Sequence, residues 1–256
     1  MPRISLHLAR RLFGLSALLG LFLFCMPGTV FLAAQARPVS AKPAFVLGLG
    51  WQPAYCEKKA KRPECSGSAV APQFSLQGLW VPGQRFCHVE ETARARDKAR
   101  DWLGLPAVAL PADLNARLKA AMPGTVSGLD RHVWLMNGSC QTRTAEAYFA
   151  LQLRLLDEVN GSAVGRLFKA RLGQGVDRAA VVAAFTESFG EDSALRVKMR
   201  CRKIGDRMLV TGLTLGLGAT PDQAGLKEAM AGAPVTRFGC ESGIVDQPGS
   251  STAKTE

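Results

Sequence analysis

The sequence predicts an α+β fold. Two kinds of segment carry that prediction: short apolar or alternating runs bounded by Pro and Gly, and longer stretches with apolar residues at helical spacing. Their order lacks the regular strand–helix–strand rhythm of a parallel sheet. Phe45 to Trp51 (FVLGLGW) is a short apolar run ended by Gln52-Pro53, which reads as a buried strand. Tyr55 to Pro72 is polar, basic and rich in Pro and Gly, so a loop is expected. Phe74 to Trp80 (FSLQGLW) alternates as a second strand and stops at Pro82-Gly83. Glu90 to Leu103 has helix-forming composition, with acids at its start as the helix dipole favours. Asp113 to Met122 reads as a short amphipathic helix ended by Pro123-Gly124. Thr144 to Glu158 gives the clearest helical spacing, through Ala147, Tyr148, Leu151, Leu155 and Leu156. Asp177 to Phe189 is a further helix, closed by Gly190.

Leu195 to Lys203 alternates strictly, with Arg196, Lys198, Arg200 and Arg202 on one side and Val197, Met199 and Cys201 on the other. Gly205-Asp206 makes a turn, and Met208 to Leu217 returns as a strand. The four bases could hold nucleic-acid phosphates. Alternation alone explains them as the solvated face of an amphipathic strand, and that reading is preferred.

The 256 residues are 47% hydrophobic and 21% charged, which excludes a disordered polymer, a collagen-like repeat and a multi-span membrane protein. Residues 1–36 have the three-part layout of a secretory signal peptide. Arg3, Arg10 and Arg11 precede an uncharged apolar stretch, Pro27-Gly28 breaks it, and Ala34-Gln35-Ala36 is a small-x-small cleavage pattern. An uncleaved anchor is the competing reading. Residues 37–246 are expected to form a single domain and 247–256 a flexible tail. Cleavage would leave 29 Lys and Arg against 21 Asp and Glu, a charge of +8. A periplasmic or secreted location follows, with no membrane association after cleavage.

Cleavage also removes Cys25 and leaves Cys56, Cys65, Cys87, Cys140, Cys201 and Cys240. An even set in an exported chain reads as three disulfides, with the pairing open among 15 possibilities. A metal site is not expected. No two cysteines are spaced C-x-x-C, and His88 and His132 stand alone.

Three ordered segments resemble the ribonuclease T2 family of secreted endoribonucleases. Phe45 to Cys56 (FVLGLGWQPAYC) is similar to the family's opening strand with its Trp-x-Pro-x-x-Cys ending. Ser75 to Pro82 (SLQGLWVP) resembles the first active-site motif, His-Gly-Leu-Trp-Pro, and His132 to Cys140 (HVWLMNGSC) resembles the second, His-Glu-Trp-x-Lys-His-Gly-Thr-Cys. The resemblance spans roughly residues 44–245. It implies a central antiparallel sheet flanked by helices and the disulfides Cys56–Cys65, Cys87–Cys140 and Cys201–Cys240.

The resemblance also implies a chemistry without metal or cofactor. A base takes the ribose 2′-OH proton, the oxygen attacks the adjacent phosphorus, and an acid protonates the departing 5′-oxygen. A 2′,3′-cyclic phosphate results. Two histidines carry the protons, and a Glu and a Lys face the phosphate. This chain departs from the pattern at each of those positions. Gln77 and Asn137 stand where the histidines belong, Val133 replaces the Glu, and Met136 replaces the Lys. Amides do not titrate near neutral pH, so they cannot relay a proton. General acid–base catalysis contributes roughly 10²–10⁴-fold per group. His132 survives at a position the family uses to help bind phosphate, and Trp80, Trp134, Gly78 and Gly138 survive as scaffold.

The expectation is therefore a pseudoenzyme on a ribonuclease scaffold, with RNA or nucleotides as its partner and His132, Trp80 and Trp134 as binding residues. For both tryptophans core packing competes equally. The alternative is a weak or altered endoribonuclease in which His88 and His132 replace the lost pair. A purely structural or inhibitory protein-binding role is the default if neither holds, and no sequence feature names a protein partner.

Overall fold

The computed structural model describes residues 42–66 and 71–249. The expected signal segment with its cleavage site, Cys25, and the tail beyond residue 249 lie outside the described residues. Strand β1 (Phe45–Trp51) runs straight into helix α1 (Gln52–Lys59), and strand β2 is Phe74–Trp80. Helices α2 (Glu91–Lys98), α3 (Ala112–Ala121) and α4 (Leu129–Met136) follow. Then come α5 (Ala145–Gly161), α6 (Ala163–Ala170), the short strand β3 (Gly175–Asp177) and α7 (Arg178–Phe189). The chain closes with β4 (Val197–Ile204), β5 (Arg207–Leu217), α8 (Leu226–Ala231) and β6 (Ser242–Ile244).

The sheet runs β2-β1-β5-β6-β3, with β4 on the other edge of β5. Its pairs are antiparallel except β5 with β6, which meet in parallel at Leu209 and Ile244. The expectation of an antiparallel sheet therefore holds for the four long strands and is corrected at this short edge. On β1, Leu47, Leu49 and Trp51 point into the core. Trp51, Phe74 and Phe168 of α6 form an aromatic cluster with ring centroids 4.6–5.3 Å apart. The Tyr148 hydroxyl of α5 donates to the Leu79 carbonyl at 2.8 Å, which fixes α5 against β2.

Three disulfides fasten loops to this frame: Cys56–Cys65 at the end of α1, Cys87–Cys140 between the loop after β2 and the end of α4, and Cys201–Cys240 beside β4. In the usual loop-entropy account each stabilises the fold by roughly 2–4 kcal/mol.

Two expectations need correction. The segment from Tyr55 onward opens as α1 rather than as loop. Pro53 sits in the first turn of that helix, where its missing N–H costs nothing and its fixed φ suits the helix. The basic face from Arg196 to Arg202 is not wholly solvated. Arg196 donates to the Ala233 and Asp192 carbonyls, and Arg200 is drawn inward toward β2.

Candidate functional site

Gln77 is displayed by a β-bulge. Gly48 pairs with Gly78 and Leu49 with Leu76, so Gln77 is the extra residue on β2. Bulges re-aim side chains and are frequent beside active sites. The next residue, Gly78, has φ +136°, a backbone that disfavours a side chain. A second bulge lies two strands away. Arg200 pairs with Gly212 and Cys201 with Val210, leaving Thr211 as the extra residue on β5.

Between the bulges, the Arg200 guanidinium crosses the sheet. Its Nη2 donates to the Leu49 carbonyl at 2.8 Å and to Gln77 Oε1 at 2.6 Å. Glycines clear the route. A Cβ on Gly212 would stand 2.0 Å from the Leu49 carbonyl oxygen and 2.7 Å from Arg200 Nη2, and one on Gly50 would stand 2.7 Å from Gln77 Nε2. Burial lowers the Arg200 pKa, since a desolvated cation is disfavoured.

Helix α4 carries the second motif, a helix that its sequence did not advertise. Val133 is buried, and its methyl group would lie 3.2 Å from a Cβ on Gly78. Asn137, at the C-terminal end of α4, is also buried, and its amide nitrogen faces the same glycine. Gln77, Val133 and Asn137 thus gather around Gly78. Met136 is half-buried, and its carbonyl accepts from the Phe86 N–H at 2.9 Å.

His132 is the most organised of the expected residues. Its Nδ1 lies 2.6 Å from Oδ1 of the buried Asp97. Its ring stacks on Trp102, with centroids 4.2 Å apart and planes 16° from parallel. Asp97 fixes the ring orientation and selects the tautomer with a proton on Nδ1. Neither Asp97 nor Trp102 carried a site signal in the sequence. They sat in a stretch of dense mixed charge that read only as helix.

Gln77 and Trp102 line one pocket of about 270 Å³, together with Gln52, Tyr55, Glu64 and Ser127. Glu64 accepts from the Tyr55 hydroxyl at 2.8 Å and the Ser127 hydroxyl at 2.5 Å. Burial alone would raise its carboxyl, but the hydrogen bonds, from Ser127 first, outweigh it and hold the group below its ordinary value. With both oxygens engaged, Glu64 braces the pocket wall rather than standing free as a base.

The remaining expected residues are placed as follows. Trp80 is half-buried, over Gly48. Trp134 packs against the core, with its ring 5.5 Å from Tyr148. His88 is exposed at φ +56°, and among the described residues no hydrogen bond, ion pair or ring contact joins it to His132. No group of three His, Cys, Asp or Glu among the described residues could hold a metal ion.

Comparison with known proteins agrees with the motifs. Ribonuclease I of Escherichia coli (strain K12) is 26% identical over 232 residues, covering 80% of this chain and 85% of that protein. The chain is similar to this ribonuclease, in line with its resemblance to the ribonuclease T2 family. No family model matches it. The chain shares its fold with RNase NT, solved in complex with 5′-AMP, at a TM-score of 0.52 and 17% identity, covering 81% of this chain and 99% of that one. Human RNase T2 matches at a TM-score of 0.45 and 16% identity, over 78% of this chain and 95% of that one.

Proposed function

We propose that this ribonuclease T2-family protein is an exported pseudoenzyme that binds single-stranded RNA or nucleotides and is impaired in cleaving them. The observation that carries the reading is the group of side chains around Gly78. Gln77, Val133 and Asn137 supply no proton donor or acceptor that titrates near neutral pH, and Met136 brings no charge to the phosphate. The Gln77 carbonyl oxygen is, besides, taken up by Arg200. Binding is supported by the stacked Trp102–His132 pair beside an open pocket, by the basic charge, and by a fold shared with a protein solved with 5′-AMP. Export to the periplasm or medium is supported by the signal-like sequence of residues 1–36 and the disulfides.

A restoration series tests the reading. The parent is expected to leave polyuridine essentially uncut between about pH 4 and 8, a range that spans histidine titration. Gln77→His with Asn137→His, then Val133→Glu and Met136→Lys, is expected to raise cyclic-phosphate formation by at least about 10²-fold. A parent that cuts RNA at the rate of the restored chain overturns the reading.

The Asp97–His132 contact favours a second reading, residual cleavage through His132 with His88 as its partner. It requires a bell-shaped rate profile that disappears in both His132→Ala and His88→Ala.

A further inference from the structure

We propose that the groove between α1 and β4, ending at Gln77, is a track for the sugar–phosphate backbone of single-stranded RNA. The inference rests on the RNA-binding reading above and adds the surface that would carry it.

The groove encloses about 560 Å³ and is lined by Lys58 and Lys59 from the end of α1 and by Lys198, Arg200 and Arg202 from β4. Among the described residues no acidic side chain lines it. Several cations elsewhere sit beside an acid, as Arg154 does with Glu158, Arg166 with Glu187, and Arg207 with Glu57 and Asp246. Among the described residues none of the five groove cations has a carboxylate partner. Like charges gathered without counter-charge repel, and an anionic ligand relieves that repulsion.

The arrangement suits a chain of phosphates better than one small anion. The bulge lies on β5, so β4 keeps its regular alternation. Lys198, Arg200 and Arg202 therefore repeat every second residue, about 6.6 Å apart, along one line. Lys198 and Arg202 reach solvent, where they can follow a flexible strand. Arg200 is half-buried, and its Nε is buried without a hydrogen-bond partner. It stands at the inner end of the track, bonded to Gln77, which also lines the Trp102 pocket. A strand laid along the cations would run past the Gln77 position. Tyr55, which lines both spaces, sits where a base could stack.

The test uses the purified protein and a fluorescein-labelled uridine dodecamer, read by anisotropy across a sodium chloride series. The groove variant is Lys58→Gln, Lys59→Gln, Lys198→Gln, Arg202→Gln; all four side chains are exposed. The control variant, Lys119→Gln, Lys169→Gln, Lys227→Gln, Arg237→Gln, removes equal charge from exposed sites elsewhere. A thermal melt checks that both are folded. The groove variant is expected to bind on the order of 10²-fold more weakly at low salt, with a salt slope shallower by about 0.7 per lost phosphate contact. The control is expected to stay within about threefold of the parent, the residue of long-range attraction.

Equal losses in both variants overturn the proposal, because affinity then follows net charge alone. An unchanged groove variant overturns the track and leaves RNA binding intact. A parent that binds no dodecamer overturns the RNA reading and the track together. Groove-dependent binding to anionic phospholipid vesicles without RNA binding assigns the groove to a lipid surface, and also overturns it.

Discussion

The two faces of the β1–β2 ribbon come from one stretch of alternating sequence and do opposite things. On one face Leu47, Leu49 and Trp51 are fully buried, and Trp51 packs with Phe74 and Phe168. On the other, Gly48 and Gly50 leave room for Trp80, Gln77 and the incoming Arg200. Apolar burial fixes the first face. The second is built from absent side chains and a charge-assisted hydrogen bond. On that second face the bulge at Gln77 presents a side chain that the regular pleat would place differently.

The largest effect that can sharpen this contrast is on activity. If the second face still positions RNA, the fourfold restored chain should gain orders of magnitude in cleavage. Arg200 beside a histidine at position 77 would disfavour its charged form. The acid limb of the restored rate profile should therefore lie at lower pH than in a chain that also carries Arg200→Gln. Identical profiles would show that the guanidinium no longer meets residue 77.

The next largest effect concerns the apolar face. Trp51→Ala should cost about 3–5 kcal/mol in urea unfolding, because it empties the centre of the aromatic cluster. A loss below about 1 kcal/mol would mean that the face collapses easily around the gap.

Gln77→Leu should cost less, about 1–3 kcal/mol, by removing an acceptor from the half-buried Arg200. Gln77→Glu keeps an acceptor and should cost less than the leucine variant. Equal stability of Gln77→Leu and the parent would sever the link between the two bulges.

The smallest effect lies outside the ribbon. Arg143 Nε donates to Asp222 Oδ1 at 2.7 Å, and the hydrogen bond with its charge holds the Asp222 carboxyl below the ordinary carboxylate value. A depressed folded pKa stabilises above the unfolded value, near 3.9, and that contribution fades as pH falls through the folded value. Asp222 is largely exposed, so solvent screening limits the pair to about 0.2–1 kcal/mol. Asp222→Asn should melt slightly below the parent at pH ~6, and the gap should narrow as the pH falls below ~4.

The long strands were legible as short apolar or alternating runs, such as FVLGLGW, bounded by Pro or Gly, and α5 because its apolar residues repeat at helical spacing. Helix α1 was hidden by Pro53, which reads equally as a stop or as a first-turn residue. The three-residue strands β3 and β6 are too short to show any period. At the site, the motif positions were readable one by one, but their surroundings were not. Arg200 lies 123 residues from Gln77, and Asp97 lies 35 from His132. Only folding brings such partners together, and no local pattern marks them. The basic alternation did mark Arg200 as unusual, yet alternation cannot say which cation turns inward.

The glycine passage beneath Arg200 has a consequence for anyone screening this protein by random mutation. Gly50 and Gly212 carry no chemical group, yet a methyl at either would collide with the crossing or its frame. A screen for ligand binding should therefore score two residues without side chains among its most sensitive hits, in the middle of a sheet where neither would be sought.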